Sequence, residues 1–403
     1  MGELNVASIA KPDGKTQDLA REIVEAVDEV AGRLGDVARA IHAHPELGYQ
    51  ERYAANLLAT ELESDGIAVE RGACGIETAL RARFGREGGP RVAILAEYDA
   101  LPEIGHACGH NLIATGALGA ALGLHAVRES LPGEVVFLGT PAEEGGGGKI
   151  RLLRAGAFDG LDAAMMFHPF DRTLLAHAAL AMNRVNITFR GTPSHAAAAP
   201  WDGSSALRAV IQTFNLIDSG RVHLRDGARV HGIITDGGQA VNIIPERASC
   251  AFSVRAPTAK YLETVEAMVR RAAEAAALAT GTKVEIATVG GYRDMRNNMP
   301  LARRFGDHLR ALGVPFVERD PDTGAGSTDM GDVSYAVPAI HPYLAICEAG
   351  EAFCHQHGFV ERAASPRGIA TAIDAAKAMA LTALVVLRDD HLRGEARTFF
   401  AAF

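Results

Sequence analysis

The chain has 403 residues, of which 48% are hydrophobic and 22% are charged, and its formal net charge is -9 at pH 7. This composition is typical of a globular protein and leaves no case for wholesale disorder, and the length favours two domains. Lysine and arginine are scattered and form no basic stripe that could neutralise phosphates, so we do not expect nucleic acid as a partner.

The N-terminus and the cysteines indicate the cellular compartment in which the protein is expected. The first six residues contain no charged segment followed by an apolar core, and Val6 does not fit a myristoylation pattern. No apolar run reaches the roughly 18 residues that a membrane span requires. The five cysteines are odd in number and widely spread, unlike a disulfide framework. We therefore expect a cytoplasmic protein without a membrane partner, in which every cysteine except Cys108 is a small buried hydrophobe.

Hydrophobic periodicity predicts the first elements. A helical opening with apolar positions such as Ile23 and Leu34 leads to His-Pro-Glu-Leu-Gly at 44–48, and a second helix is expected to end near Glu63. Residues 91–97, 134–139 and 162–167 are compact apolar runs of the kind that form buried strands. Asn111 is expected to cap the helix after the first of these strands. Strands that alternate with helices predict a mainly parallel sheet, with ligands at the carboxyl ends of its strands.

The rhythm changes in the middle of the chain. The expected order is strand 183–190, helix 202–219, strand 229–235, strand 246–255, helix 258–279 and strand 282–289. This order is the split βαβ, ferredoxin-like pattern. A helix at 301–312, a loop at 324–329, a strand near 339–346 and a helix at 368–387 then return to α/β character. We predict an α/β fold in which residues 1–182 and 291–403 form one domain and residues 183–290 form an inserted second domain.

The densest group of reactive side chains lies in the segment 97–111, which contains Cys108 and His110. Residues two apart cannot share a helix face, but both can point into one cavity from a loop that precedes a helix. A buried thiol beside a hydrogen-bonded histidine would give the same pattern. This segment alone therefore leaves metal binding and a core role open.

Two further strands are followed by side chains that bind metals. Glu143 and Glu144 follow the second strand, where one carboxylate could hold a cation and the other could take a proton from water. His168 follows the third strand, at the same predicted edge of the sheet. The glycine run before Lys149 does not fit a phosphate loop, because Ile150 stands where that motif requires Ser or Thr. Three coinciding strand ends predict a functional site.

Six ordered motifs resemble the aminoacylase and carboxypeptidase family of dinuclear metallopeptidases, in its amidohydrolase branch. Within that branch the chain is similar to the Xaa-Arg dipeptidases and to one of the two related chains of aminobenzoyl-glutamate hydrolase. The resemblance covers nearly the whole chain. The motifs are His-Pro-Glu-Leu-Gly at 44–48, His-Ala-Cys-Gly-His-Asn at 106–111, Pro-Ala-Glu-Glu-Gly-Gly-Gly-Gly at 141–148, Gly-Thr-Pro-Ser-His-Ala at 191–196, Asn-Ile-Ile-Pro at 242–245 and Gly-Ser-Thr-Asp-Met-Gly-Asp at 326–332.

The resemblance implies two divalent metal ions per chain. It makes Cys108 the bridging ligand, with His110 and Glu144 on one side and His168 with a late histidine on the other. A bridging thiolate suits zinc, while carboxylate and imidazole also accept manganese, cobalt or nickel.

Two positions depart from the family's usual pattern. The segment 354–359 contains both His355 and His357, and counting back from Phe359 along the family's Ala-His-Thr-Pro-like segment selects His355. The resemblance also implies that Asp99 orients a ligand from outside the first coordination shell. Many relatives outside this branch have a histidine ligand two residues before that aspartate, but Glu97 occupies this place and is not counted as a ligand.

The remaining implied roles concern catalysis and substrate. Glu143 matches the general base, and His195, Asn242 and Arg255 match positions that hold the scissile carbonyl or the substrate carboxylate. Taken singly, His195 and Asn242 have the character of turn residues and Arg255 that of a solvated edge charge. A planar guanidinium nevertheless suits the bidentate binding of a carboxylate.

The expected function is metal-dependent hydrolysis of the amide bond of a small N-acyl amino acid or dipeptide, such as an aminobenzoyl-glutamate-like compound or an Xaa-basic dipeptide. The resemblance also implies that the inserted domain is a lid that forms a homodimer. Two alternatives stay open: a non-catalytic partner subunit of a heteromeric amidohydrolase, and a plain thiol enzyme that uses Cys108.

Overall fold

The computed structural model describes residues 14–320 and 324–403, so the N-terminal segment that bears on targeting lies outside the described residues. The chain divides into two compact units. The first comprises the chain up to His177, Arg296–Gly324 and Asp332–Phe403, and the second comprises Ala178–Met295 and Ala325–Gly331.

The elements are numbered in chain order. The helices are α1 (Gly14–Glu29), α2 (Ala31–Ala43), α3 (Arg52–Ser64), α4 (His110–Ala126), α5 (Gly148–Arg154), α6 (Ala206–Arg221), α7 (Ala259–Thr280), α8 (Met299–Ala311), α9 (Met330–Ser334), α10 (His357–Ala363), α11 (Pro366–Arg388) and α12 (Asp390–Ala401). The strands are β1 (Val69–Arg71), β2 (Leu80–Gly85), β3 (Arg91–Ala96), β4 (Glu134–Gly139), β5 (Ala163–Met165), β6 (His168–Phe170), β7 (Ala181–Arg190), β8 (Arg229–Asp236), β9 (Arg247–Ala256), β10 (Lys283–Tyr292), β11 (Ala339–Ile340) and β12 (Tyr343–Ala345).

A six-stranded sheet forms the centre of the first unit, in the order β1-β2-β4-β3-β5-β11. Its β4-β3, β3-β5 and β5-β11 pairings are parallel, and β1 and β2 add an antiparallel edge. The middle strands are apolar and almost fully buried, as expected for strands covered on both faces. The predicted mainly parallel α/β architecture is confirmed.

Helices α4 and α11 pack against each other beside this sheet. By length and composition α11 could cross a membrane, but 72% of its apolar window is buried, and it is a core helix of this unit. The predicted cap of α4 is wrong. The helix begins at His110, after Gly109 in the left-handed conformation, so Asn111 lies inside the helix. The Asn111 amide instead donates hydrogen bonds to the carbonyls of Ala38 (3.1 Å) and Ala363 (2.9 Å), joining α4 to α2 and α10.

The second unit contains an antiparallel four-stranded sheet in the order β10-β7-β9-β8, with α6 and α7 packed against it. Its element order confirms the predicted ferredoxin-like pattern. Ser205 and Thr258 cap the two helices by accepting hydrogen bonds from backbone N–H groups of the first turns. The predicted borders, at 183 and 290, lie within β7 and β10. Where the chain enters and leaves this unit, the Met295 N–H donates to the Ala179 carbonyl at 3.1 Å.

A buried histidine makes the stability of the first unit depend on pH. His308 of α8 is fully buried, and neither ring nitrogen has a hydrogen-bond partner within residues 14–320 and 324–403. Burial, with a smaller contribution from Arg304, lowers the pKa of His308 from 6.5 to about 3. The unfolded chain therefore binds a proton that the folded chain excludes, so this contribution to stability is complete above pH 6.5 and is lost as the pH falls towards 3.

Between pH 7 and pH 5, His308 should lower the free energy of unfolding by about 2 kcal/mol, because 1.5 pH units of this interval lie below the usual histidine pKa of 6.5. We expect His308→Leu to remove this part of the decrease. Urea denaturation at both pH values measures this difference. The exposed His391, replaced in the same way, serves as the control. An unchanged pH dependence in His308→Leu would contradict the prediction.

Candidate metal centre

Asp99 orients two of the predicted ligands at the carboxyl end of β3. Its side chain is 1% exposed. Oδ1 accepts a hydrogen bond from Nδ1 of His110 at 3.0 Å, and Oδ2 accepts one from the backbone N–H of Glu144 at 2.9 Å. A carboxylate that holds Nδ1–H in this way fixes the ring and leaves Nε2 as the atom available to a metal.

His110 is the first residue of α4 and follows Gly109, whose φ is 70°. A Cβ at Gly109 would lie 2.9 Å from the Pro169 ring, so only glycine permits both this backbone conformation and the close approach of β6. Burial disfavours the imidazolium, but Asp99, Glu97 and Glu144 outweigh burial and raise the pKa of His110 well above its usual value. The surroundings of His110 therefore favour positive charge.

The structure brings Cys108, Glu144 and His355 together. One potential ligand atom from each lies within 4.8 Å of the other two, and Nε2 of His355 is 3.5 Å from Oε1 of Glu144. Burial by itself favours a higher pKa for Glu144. Hydrogen bonds from His355 and Cys108, together with the charge of His110, outweigh burial and lower the pKa to about 2. Glu144 is thus an anion throughout the range in which proteins operate.

Glu143 lies beside this group and is 9% exposed. Potential ligand atoms of His110, Glu143 and Glu144 also lie within 4.8 Å of one another. The two adjacent carboxylates therefore reach the same cluster. This proximity allows the predicted division of labour between a ligand and a base, and their individual roles stay predictions.

His168 begins β6, which pairs with β12 so that His168 lies opposite Tyr343. Its ring is 5.0 Å from the Tyr343 ring and 6.0 Å from the His110 ring, centroid to centroid. Nδ1 donates to the Pro169 carbonyl at 2.7 Å, which leaves Nε2 as the possible ligand atom. Burial and the charge of His110 lower the pKa of His168 to about 4. A neutral imidazole is the form that binds metals.

The potential ligand atoms form two groups that share Glu144: one adds Cys108 and His355, and the other adds His110 and Glu143. The pairing of His110 with Glu144 is the one that the resemblance implies, and the His168 ring lies 6.0 Å from the His110 ring, centroid to centroid. His357, the alternative late histidine, is the first residue of α10 and is exposed. The grouping therefore favours His355 as the late histidine that accompanies Glu144.

Sequence reasoning missed three side chains at this site. Cys354 hydrogen bonds with Cys108, and the neighbouring residues are joined by a 3.0 Å bond from the His355 N–H to the Ala107 carbonyl. His341 is buried with its ring 5.6 Å from His168. Position offered a signal for Cys354, which precedes a predicted ligand, but none for His341, which lies inside the single strand predicted near 339–346.

The third missed side chain is Lys149, which is fully buried and forms an ion pair with Glu97. Lys149, which follows the glycine run, thus pairs with the carboxylate that follows β3 and not with a phosphate. An ammonium group beside one carboxylate oxygen balances the buried negative charge. The pairing occupies one oxygen of Glu97, while Oε2 lies 3.5 Å from Nε2 of His110, and the expectation that Glu97 is not a ligand stays a prediction.

The residues present fit a divalent metal ion. Within the described part of the chain, Nε2 of His110 is buried without a hydrogen-bond partner, and it lies 4.0 Å from Oε1 of Glu144. A buried polar atom without a partner is costly, and a cation shared with Glu144 would satisfy Nε2 of His110. Thiolate, imidazole and carboxylate are also the donor set that zinc accepts.

The predicted substrate-binding residues lie in the second unit. Nδ1 of His195 accepts hydrogen bonds from the N–H groups of Ala197 (3.2 Å) and Ala198 (3.1 Å), so the neutral ring carries its proton on Nε2 and can donate there. The His195 loop pairs with the loop of Asn242 through the Ala196 N–H and the Asn242 carbonyl. Arg255 lies near the end of β9 and donates to Ser327 at 3.3 Å.

Comparison with known proteins confirms the resemblance. The chain is 40% identical over 398 residues to Xaa-Arg dipeptidase of Mus musculus, covering 94% of this chain and 92% of that protein. It is 37% identical over 325 residues to a subunit of p-aminobenzoyl-glutamate hydrolase of Escherichia coli (strain K12), covering 74% and 66% of the two chains. A dinuclear metal binding peptidase from Bacillus subtilis has a similar fold, with a TM-score of 0.70 at 23% identity over 90% of this chain and 99% of that one. A family model also matches residues 93–389, and the chain therefore belongs to Peptidase family M20/M25/M40 and is, as expected, a metal-dependent amidohydrolase.

Proposed function

We propose that this chain hydrolyses the amide bond of a small dipeptide or N-acyl amino acid at the cluster formed by Cys108, His110, Glu144, His168 and His355. The observation that supports this proposal most directly is the convergence of potential ligand atoms around Glu144, within 4.8 Å of one another in each of two groups. Two divalent ions, when bound, supply Lewis acidity that polarises the substrate carbonyl and activates water. The thiolate of Cys108 favours zinc over manganese, cobalt or nickel.

The chain's own residues carry the proton transfers. Glu143 takes a proton from the attacking water and delivers it to the leaving amine, because its carboxylate adjoins the ligand cluster. Asp99 holds His110 and the backbone of Glu144 in place. His195 donates from Nε2 to the carbonyl oxygen as negative charge develops there.

The substrate is proposed to be a dipeptide with a basic C-terminal residue. This follows from the 40% identity to Xaa-Arg dipeptidase across 92% of that protein. An aminobenzoyl-glutamate-like compound is the second candidate, because the similarity to the aminobenzoyl-glutamate hydrolase chain covers less of either protein. Asn242 and Arg255 are proposed to bind the substrate carboxylate.

A panel of Xaa-Arg, Xaa-Lys, Xaa-Glu and aminobenzoyl-glutamate substrates, assayed with zinc-loaded and manganese-loaded protein, tests this proposal. We expect the highest kcat/KM with a basic C-terminal residue and no activity after chelation. Activity that survives chelation would instead support a thiol enzyme. A protein that binds about two metal ions and hydrolyses nothing in the panel would be a non-catalytic partner subunit.

We also propose that the second unit forms a homodimer through β8. This strand is at the edge of the four-stranded sheet, where Ile233 is 65% and Ile234 48% exposed. A groove of about 370 Å³ beside them is lined by Ile211, Phe214, Asn215, Gly232, Ile233 and Ile234. An open edge with exposed apolar side chains is suited to pairing with a second copy. The cytoplasm stays the proposed location.

Introducing a charge at this edge should prevent dimerisation. We expect Ile233→Lys to convert a dimer into a monomer at micromolar concentration, because two lysines would face each other across the twofold axis. Light scattering coupled to gel filtration measures the mass. Val289, 51% exposed on the opposite edge strand β10, offers the matched control Val289→Lys. A monomeric wild type, or a monomer formed only by the control, would overturn the proposal.

A further inference from the structure

The loop that carries Glu143 and Glu144 is held at both ends by side chains from the segment 49–51. At one end, Glu51 is fully buried. Its Oε1 accepts a hydrogen bond from the backbone N–H of Ala142 at 2.8 Å, and its Oε2 accepts one from the Thr78 hydroxyl at 2.8 Å. Both carboxylate oxygens are therefore used, and one of them bonds to the residue immediately before the proposed base.

The backbone of Ala142 makes this hydrogen bond important. Ala142 has a φ of 60°, in the left-handed region that residues with a Cβ rarely adopt. Such a conformation persists only where the surroundings determine it. The N–H bond to Glu51 and a 3.3 Å bond from the Gly148 N–H to the Ala142 carbonyl hold this residue, and the bond to Glu51 is the shorter of the two.

At the other end, the Tyr49 hydroxyl donates a hydrogen bond to the Gly146 carbonyl at 2.7 Å. A Cβ at Gly146 would lie 2.6 Å from Cβ of Ala142 and 2.8 Å from the Tyr49 ring. The guanidinium of Arg151 covers that ring at 4.8 Å. The loop is thus packed too closely against Tyr49 for any residue but glycine at this position.

We infer that Glu51 and Tyr49 are positioning residues that hold the 142–146 loop in the conformation that aims Glu143 and Glu144 into the metal cluster. Neither side chain touches substrate or metal in this assignment. The inference rests on the proposed function for the role of Glu143, but the placement of Glu144 can be tested through metal binding alone. Burial raises the pKa of Glu51, and a neutral glutamine can still accept the Ala142 N–H bond.

The test is a rescue experiment on Glu51→Ala. Without the acceptor, Ala142 is free to leave the left-handed region, and we expect kcat to fall by about 100-fold, with KM nearly unchanged. Zinc affinity, measured by calorimetry on the full chain, should fall by at least about tenfold at one site. Adding Ala142→Gly should recover about tenfold of the loss in kcat, since glycine takes a positive φ without strain.

Two other variants separate positioning from general stability. Glu51→Gln keeps an oxygen for the Ala142 N–H and should stay within about threefold of wild type. Asn298→Ala removes a buried cap of α8 whose amide bonds to the Ala396 carbonyl, so it should lower the melting temperature without changing zinc affinity.

The inference is overturned if folded Glu51→Ala binds zinc and turns over as the wild type does, or if Ala142→Gly restores nothing. If Glu51→Ala does not fold, Tyr49→Phe tests the inference in its place. It removes only the hydroxyl that bonds to Gly146, and it should lower kcat by about threefold to tenfold with a parallel loss of zinc affinity. A wild-type enzyme without amidase activity would refute the proposed function, while the zinc measurements would still decide the role of the loop.

Discussion

We expect Glu143→Gln to lower kcat by about 1,000- to 10,000-fold while the metal content stays unchanged. Glutamine has the same shape as glutamate, but its amide cannot take a proton from water or deliver one to the leaving amine. Glu143 lies among the cluster residues and is buried, so bulk water has little access to replace it as a base. Steady-state kinetics and elemental analysis of the same sample measure the two quantities together.

The neighbouring residue offers the matched control. Glu144→Gln changes an identical side chain one position away, but Oε1 of Glu144 faces His355 and His110. This variant should therefore lose metal as well as activity. Near-full activity in Glu143→Gln would refute its role as the base, and equal metal loss in both variants would refute the division between them.

Cys108→Ala is expected to cost the chain at least one metal ion per subunit and, with it, nearly all activity. The Sγ atom of Cys108 lies within 4.8 Å of ligand atoms of both Glu144 and His355. Loss of a residue that merely orients a ligand weakens metal binding by about 10- to 100-fold, and loss of a shared ligand should exceed that range. Zinc content after dialysis and zinc affinity by calorimetry check this expectation.

Cys354 supplies a control of the same chemistry. Its thiol hydrogen bonds with that of Cys108, but Cys354 does not belong to the three-residue group of ligand atoms. We therefore expect Cys354→Ala to retain both metal ions, with affinity lowered by no more than the roughly 10- to 100-fold range for the loss of a neighbour outside the coordination shell. Unchanged zinc in Cys108→Ala, or loss of zinc only in Cys354→Ala, would show that the bridging ligand was misassigned.

Much of the fold was predictable because local hydrophobic patterns in the sequence indicate its strands and helices. The apolar runs at 91–97 and 134–139 became β3 and β4, and the strand-helix order of the second unit appeared as expected. One strand near 339–346 is instead two short strands, β11 and β12. Pro342 between them cannot donate to a ladder, and the chain changes partner there from β5 to β6.

The parts of the site that escaped prediction depend on contacts between residues far apart in sequence. Glu51 meets Ala142 across 91 positions, and Lys149 meets Glu97 across 52. Neither pairing has a local signal, since an isolated glutamate or lysine is most often a solvated charge. For Asn111 the local signal was misleading. Its residue type favours a helix cap, but it lies inside α4, where its amide donates to two carbonyls that are distant in sequence.

The hydrogen bond between Met295 and Ala179 has a consequence for how the chain tolerates change in length. Residues 179–295 leave and rejoin the rest of the chain at two points that lie next to each other. The entropy of closing a loop depends on its length only logarithmically, and a folded insert with adjoining ends removes even that dependence. The loops of this stretch can therefore lengthen or shorten while the chain closure at these two residues stays the same, whereas exchange of the whole stretch would remove the partners of residues 325–331, which belong to the same unit.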